Sequence, residues 1–317
     1  MVELGYTLSS EEHGPNTLVE HATRAEEVGF DFACISDHYH PWTEEQGNSP
    51  FVWSTLGGIA ATTDEIDIGV GVTCPTIRIH PAILAQAVAT TADMFDGRFF
   101  FGVGTGENLN EHILGDRWPE FDVRLEMLEE ALGVIYDLWE GENYSHHGTH
   151  YTVENAKLYS LPEKSPPIVV SAFGPRAAQS AADIGDGLWC VGPQEEPLDT
   201  YEENGGSGPK YTQIDVYYAE NEDNAIDTVY EQWPNGQLSG EMAQILPTPA
   251  HFEQATAMVE REDVAASATP MGSDPQPFID SVHVCIDAGY DHVYLHQIGP
   301  NQEGFFEFYE ENIQDVF

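Results

Sequence analysis

Basic residues are what this chain most lacks. Ten Lys plus Arg stand against 55 Asp plus Glu in 317 residues, a formal charge of −45 with histidine neutral. So negative a molecule repels phosphate backbones and anionic lipid surfaces, which argues against nucleic acid and membranes as partners. Lysine occurs only at Lys157, Lys164 and Lys210, and the acids run the whole length instead of forming a tail. Cysteine is scarce and scattered: Cys34, Cys74, Cys190 and Cys285 form no CxxC pair, so reduced, packed thiols are expected instead of a disulfide framework or zinc ribbon. No run approaches the roughly 18 apolar residues of a membrane helix. Met1-Val2-Glu3-Leu4-Gly5-Tyr6 has no basic stretch leading into an apolar one, and a cytoplasmic location is expected. No Gly-x-Gly-x-x-Gly follows the first apolar run, which disfavours an open dinucleotide-binding sheet.

What is present suffices for a large core, with 41% hydrophobic and 11% aromatic residues. Apolar β-like runs alternate with amphipathic helical patterns. The strands are Glu3 to Leu8, Asp31 to Ser36, Asp67 to Thr73, Arg98 to Gly104, Pro167 to Ala172, Gly187 to Gly192, Gln213 to Ala219 and His292 to Ile298. Helices are predicted over 17–28, 50–63, from Pro81 to the Asp96-Gly97 turn, and over 123–139, 176–184 and 278–288, with a last one from about Glu303. Phe305, Phe308, Tyr309 and Ile313 share one face of that helix, leaving Glu307, Glu310 and Glu311 to solvent. A hairpin around Tyr144 and Tyr151 stands outside the pattern, and 220–269 holds helical segments broken by Pro and Gly in no evident order. The alternation predicts an α/β fold, a single (β/α)8 TIM barrel spanning 1–317 with insertions after strands four and seven.

In such a barrel the C-terminal strand ends share one face. Those ends are polar or glycine-rich: Ser36-Asp37-His38-Tyr39-His40-Pro41-Trp42, then Gly71-Val72-Thr73-Cys74-Pro75-Thr76, Gly104-Thr105-Gly106-Glu107-Asn108-Leu109-Asn110 and Ala172-Phe173-Gly174-Pro175-Arg176. His38 and Glu107 supply an imidazole and a carboxyl group suited to proton transfers that accompany hydride movement at carbon. Trp42 is a candidate wall against water. Gly174-Pro175 opening a helix frees backbone N–H groups for a phosphate, with Arg176 adding charge. Each has a plainer reading: Arg176 paired with a surface carboxylate, His38 and Glu107 as caps, Trp42 as core. His146, His147 and His150 on the hairpin read as solvated loop residues.

The strings SDHYHPW at 36–42, TCPTIRIHP at 73–81 and GVGTGENLNE at 102–111, with Pro50-Phe51 and the later GPRAA and GDGLW, resemble the coenzyme F420-dependent glucose-6-phosphate dehydrogenase group of the luciferase-like TIM-barrel oxidoreductases. The acidic composition marks a halophilic archaeal member. The resemblance implies coenzyme F420 as cofactor, a small-molecule substrate, no metal and a homodimer. It implies His38 and Glu107 as the catalytic pair with Trp42 supporting the substrate. Asp37 would touch the deazaflavin, and Cys74, Pro75, Asn110 and the turn Gly174, Pro175, Arg176, Ala177 would hold the coenzyme. Behind the ring the family carries a non-proline cis peptide, which maps to Gly71-Val72.

The second half departs from the sugar-phosphate pattern. Where that group has a clamp of two lysines and an arginine, this chain has Gln194 and the neighbourhood of Ser267, and beyond Lys210 the only basic residue is Arg261. A phosphate dianion near Glu195 and Glu196 would lack donors, so a neutral alcohol or carbonyl compound is the expected substrate. Three other readings remain open: an FMN-dependent luciferase-like monooxygenase, a non-catalytic deazaflavin-binding protein, and a metal-dependent TIM-barrel hydrolase using His38, His40 and His296.

Carboxylate self-repulsion weakens as the screening length falls from about 10 Å at 0.1 M salt to about 3 Å at 1 M. The unfolding midpoint is therefore expected to rise between low and molar KCl, and a flat denaturation series would contradict that reading of the charge.

Overall fold

In the computed structural model, which describes residues 2–317, the strand order runs β1 (Glu3–Leu8), β2 (Phe32–Ile35), β3 (Asp67–Thr73), β4 (Phe99–Val103), an outlying antiparallel hairpin β5 (Tyr144–His147) and β6 (Thr152–Ala156), β7 (Ile168–Ser171), β8 (Gly187–Val191), β9 (Lys210–Tyr218), a two-residue β10 (Met271–Gly272) beside β9, and β11 (His292–Gln297). Eight of these form a closed parallel ring, since β9 pairs with both β8 and β11, and the sheet is the expected barrel, with β10 added in parallel to β9. Around it lie α1 (Pro15–Glu27), α2 (Val52–Ala60), α3 (Pro81–Phe95), α4 (Asn108–Glu111), α5 (Phe121–Trp139), α6 (Pro175–Ile184), α7 (Glu195–Glu203), α8 (Glu222–Gln232), α9 (Met242–Ile245), α10 (Pro249–Thr256), α11 (Arg261–Ala265), α12 (Pro275–Ala288) and α13 (Gln302–Asn312).

Local sequence sets these elements. α1, α3, α6 and α12 each open on proline, whose fixed φ and missing N–H suit the first helical position. α3 stops where Asp96 turns left-handed at φ 50°, ahead of Gly97. Strand β9 begins at Lys210 and not at Gln213, because the polar residues Lys210 and Thr212 pair with Leu188 and Cys190 of β8 and hide the apolar signal. α4, α7 and β10 were not expected; α4 and β10 are too short for any periodicity to register.

Phe32, Cys34, Phe100, Val169, Trp189, Tyr211 and Tyr294 fill the barrel interior. Glycine makes room for two of these rings, since a Cβ at Gly5 would stand 2.4 Å from Phe32 and one at Gly69 2.0 Å from Phe100. The opposite strand faces, with Ile35, Val70, Phe101 and Val170, pack under the helices. On α13, Phe305, Phe308, Tyr309 and Ile313 are buried as the spacing predicts. The Gly71-Val72 peptide is cis, and the pairing of β3 with β4 is interrupted between Val70 and Thr73.

Both insertions bear on the C-terminal face. The hairpin is anchored by Glu130 of α5, which accepts the amides of Thr149, His150 and Tyr151 and faces His146 at 3.0 Å, while Tyr151 Oη donates to the Thr76 carbonyl at 2.9 Å. His146, His147 and His150 thus face separate carboxylates, and among the described residues no group of three ligands converges on a metal position. The segment 220–269, which the sequence left unordered, folds back over the barrel mouth. Gln46 Nε2 donates to the Gln232 carbonyl and to Asn235 Oδ1, both at 3.0 Å, and Asn108 Nδ2 donates to the Ile245 carbonyl at 3.0 Å. Among the described residues no helix is long and apolar enough to cross a membrane.

Candidate active site

His38, three residues beyond β2 and buried, is the centre of the site. Its Nδ1 lies 3.1 Å from the His40 carbonyl oxygen. A carbonyl only accepts, so Nδ1 carries hydrogen and Nε2 is the nitrogen that exchanges a proton. Nε2 faces two carboxylates, Glu11 Oε1 at 3.2 Å and Glu107 Oε2 at 3.4 Å. A bare lone pair aimed at two anions is repulsive, which favours the protonated imidazole. Burial opposes the imidazolium, but Glu11 and Glu107 outweigh it and hold His38 above the ordinary histidine value. Burial also raises Glu107, with Glu11 adding repulsion against the pull of His38, Asn110 and Arg78.

Glu11 had no role in the sequence reading. It stands just past β1 in the run Ser9-Ser10-Glu11-Glu12-His13, where two acids resemble the rest of an acidic surface. Yet it is 3% exposed, and its carboxylate accepts from Ser36 Oγ at 2.5 Å and Ser9 Oγ at 3.3 Å. Its position at a barrel strand end, on the same face as His38, was the available signal. Trp42 meets His38 edge to face at 4.8 Å between ring centres, and Phe252 of α10 at 5.1 Å, so the half-buried indole joins the site to the inserted segment.

Arg78 was also missed. Its side chain is 6% exposed, and its guanidinium donates to Asp37 Oδ1 at 2.8 Å, the Asp37 carbonyl at 3.3 Å and Glu111 Oε1 at 3.4 Å. Its backbone N–H donates to Glu111 Oε2 at 2.7 Å. One cation therefore ties together the loops after β2, β3 and β4, which carry His38, Cys74-Pro75 and Glu107.

Several assigned residues sit differently from expectation. Asp37 offers a ligand almost no surface, because Arg78 holds one oxygen and Thr73 Oγ1 donates to the other at 2.7 Å. Asn110 is turned inward: Oδ1 accepts the amides of Tyr39 and His40 at 2.9 and 3.2 Å, and Nδ2 donates to Glu107 Oε2 at 2.9 Å. Its side chain orients the loop that carries His38. Arg176 is exposed and ion-paired with Asp122, so the plainer reading of that residue describes the structure. Cys74 is buried, its Sγ 2.9 Å from Thr76 Oγ1 and packed against Gly106, which leaves backbone at Cys74-Pro75 for a ligand.

A flat ring with a phosphate fits what remains. Below Gly71-Val72 the buried Tyr294 Oη and Trp189 Nε1 have no hydrogen-bond partner. A Cβ at Gly71 would stand 3.2 and 3.3 Å from them, so only glycine keeps this floor clear. At α6 no side chain caps the helix, the backbone at Gly174 faces open space, and the amides of Arg176 and Ala177 are left for an anion.

A second buried histidine lies nearby. His296 at the end of β11 is 1% exposed, with Nε2 2.9 Å from Glu12 Oε2 and Nδ1 3.0 Å from Asp215 Oδ1. Burial disfavours its charge, but the hydrogen bonds to Asp215 and Glu12 push it up to about 10. Both nitrogens are engaged, which removes the extra metal ligand that a hydrolase reading needs.

A closed parallel barrel with a buried histidine facing two carboxylates at its C-terminal mouth, and a helix start free for an anion, fits a cofactor-using barrel oxidoreductase. The chain belongs to the luciferase-like family: the family model described as luciferase-like monooxygenase matches residues 2–292. It is 34% identical to an F420-dependent glucose-6-phosphate dehydrogenase of Microbacterium testaceum, over 98% of this chain and 96% of that one. An F420-dependent secondary alcohol dehydrogenase, solved in complex with an F420-acetone adduct, superposes with a TM-score of 0.92 at 27% identity, covering 100% of this chain and 99% of the other. The FMN-bound oxygenating constituent of 3,6-diketocamphane monooxygenase from Pseudomonas putida shares the fold, with a TM-score of 0.73 at 17% identity over 100% and 99% of the chains.

Breaking a buried ion pair by removing one partner typically costs about 3–5 kcal/mol. Arg78→Met is therefore expected to lower the melting midpoint in molar KCl by well over 5 °C and to abolish tight cofactor binding. An unchanged melt would mean that the three loops are held by something else.

Proposed function

We propose that the protein is a coenzyme F420-dependent oxidoreductase acting on a neutral alcohol or its carbonyl counterpart. The observation that carries this is the His38 cluster, an imidazole with its exchanging nitrogen aimed between Glu11 and Glu107 at the barrel mouth. When bound, the deazaflavin supplies a carbon that takes or gives a hydride. In the oxidation direction the alcohol loses that hydride from carbon and a proton from oxygen, and His38 Nε2 is the base for the proton. Glu107, whose protonated form burial favours, holds the second proton on the cofactor side. Trp42 and Phe252 wall the substrate from water. Thr73 and Arg78 fix Asp37, and with Asn110 they set the angle of the His38 loop. Gly71, Val72, Cys74 and Pro75 form the ring floor through backbone, with Gly174, Pro175, Arg176 and Ala177 at the phosphate.

Cation placement supports a substrate without phosphate. Past Arg176 the chain has two basic residues. Lys210 starts β9, at the end of the barrel away from the site, and pairs with Glu202 at 2.9 Å; Arg261 is held by Asp223 and Asp227. Gln194 turns back to the Val191 carbonyl at 3.2 Å. Neither cation is left for a phosphate dianion. We read residues 1–317 as one luciferase-like domain of a halophilic archaeal, cytoplasmic protein. The charge of −45 supports the salt habitat. Exposed Phe51, Ile83 and Met94 beside and on the adjoining α2 and α3 support a homodimer.

The test is an F420 reduction assay in molar KCl with secondary alcohols, polyols and glucose 6-phosphate. Secondary alcohols are expected to turn over and the sugar phosphate not. His38→Ala and Glu107→Gln should each lower turnover by about 10²–10⁴-fold with F420 binding retained in a fluorescence titration. Because His38 must lose its proton to act as base and its value is raised, alcohol oxidation should climb with pH above the usual histidine range, and carbonyl reduction should fall. Fastest turnover of glucose 6-phosphate, or binding of FMN in place of F420, would defeat the proposal.

A further inference from the structure

We propose that His296 is a positioning residue for the reaction above: its two hydrogen bonds lock the Ser9–His13 turn that presents Glu11 to His38. The inference rests on that functional reading for its kinetics, though not for its geometry.

Glu11 and Glu12 are consecutive and point to different histidines. Glu11 reaches His38, whereas Glu12, 3% exposed, reaches His296 at 2.9 Å and accepts the Gly299 amide at 2.7 Å. The turn between them is tight, closed by the His13 amide donating to the Ser9 carbonyl at 3.1 Å. Asn48 braces it from outside, its backbone N–H donating to the Glu11 carbonyl and its Nδ2 to the Glu12 carbonyl, both at 3.0 Å. From within the barrel, Ser36 and His38 hold the Glu11 side of this turn, and the chain Asp215, His296, Glu12 holds the other side. Asp215 belongs to β9 and His296 to β11, so two rigid strands fix where the turn sits. Trp233 of the inserted segment covers His296 edge to face at 4.5 Å.

Burying two acids with one imidazole is a poor way to stabilise a fold, since apolar groups of the same shape do as well or better. What such a network supplies is a single geometry. A small rotation of the Glu11-Glu12 peptide moves the Glu11 carboxylate off Nε2, and displacements of about an ångström at a reacting group cost up to roughly a hundredfold in rate.

The charged groups facing His38 are Glu11, Glu107 and Arg78, with Trp42 as neutral wall; those facing His296 are Glu12 and Asp215, with His13 beyond Glu12. Charge and position therefore predict opposite signs. Losing the His296 cation would by field alone raise the His38 titration midpoint, whereas releasing Glu11 from His38 lowers it.

The experiment measures the His38 ring midpoint by NMR, assigned by difference with H38Q, alongside alcohol turnover. In H296Q the midpoint should fall by about one pH unit and turnover by about ten- to a hundredfold, with KM little changed. E12A, which cuts the same link from the other side, should behave alike and serves if H296Q does not melt cooperatively. E12Q is the control that keeps geometry and removes charge. Its amide oxygen accepts Gly299 N–H, and its amide N–H donates to Nε2 of a neutral His296 whose Nδ1–H still meets Asp215. E12Q should remain within about threefold of wild type, as expected when position and not charge is at stake. An unmoved or raised midpoint in H296Q, or E12Q as impaired as E12A, overturns the proposal. If wild type oxidises no alcohol, the functional reading fails while the NMR comparison still decides the positioning role.

Discussion

The site depends on one buried guanidinium. Arg78 enters from the loop after β3, lies against Asp37 from the loop after β2 and Glu111 from the end of α4, and thereby sets the distance between the segments bearing His38 and Glu107. Loops at a barrel mouth have no sheet hydrogen bonds to hold them, so long-range side-chain contacts must do so. An arginine fork suits the task because it meets two carboxylates and a carbonyl at once, in fixed directions. The two anions in turn keep the cation tolerable in a dry interior. Remove the arginine and two buried carboxylates are left without a counter-charge, which is why this cation is the structural keystone.

A comparable logic governs the histidines. Each of the two buried imidazoles lies between a pair of carboxylates, yet the pairs differ in geometry. At His296 each nitrogen faces its own acid, both protons are fixed, and the ring acts as a strut. At His38 one nitrogen is tied to a backbone carbonyl and the other faces both acids. The same residue types leave both nitrogens separately occupied in one case and one nitrogen shared between two carboxylates in the other. The difference arises from which nitrogen the backbone occupies.

How far the sequence could be read follows from the range of the interactions involved. Barrel strands such as Asp67–Thr73 were legible because apolar runs and turn residues are local signals, and His38, Trp42 and Glu107 stood out by lying just past such runs. Arg78 lay inside a motif already quoted, but its meaning comes from Asp37 and Glu111, residues it meets only after three strands are aligned. Glu11 and Glu12 were hidden by composition: among 55 acids, burial is the only thing that singles them out, and burial has no one-residue signature. Asn110 and Arg176 show the opposite difficulty, because side chains expected at a coenzyme also engage partners within the protein. Their motifs pointed outward to a coenzyme, whereas a neighbouring amide or carboxylate was closer. The inserted segment was unreadable because α9 and α11 are short and owe their positions to contacts such as Asn108 with the Ile245 carbonyl.

The scarcity of cations, a surface property by count, is an interior property by location. Arg78 and Arg124 are buried. Arg124 donates to the Pro119 carbonyl at 2.7 Å and to Gln244 Oε1 at 3.2 Å, and lies over the Trp118 ring at 4.4 Å, so it fastens the inserted segment to the start of α5. A protein with few basic residues has thus placed two where they organise the mouth of the barrel, and kept none free on the substrate side of its second half. A surface of carboxylates screened by salt can be altered almost anywhere at little cost, because each charge is interchangeable with its neighbours. These two cations are not interchangeable, since each meets a particular set of oxygens fixed by the fold.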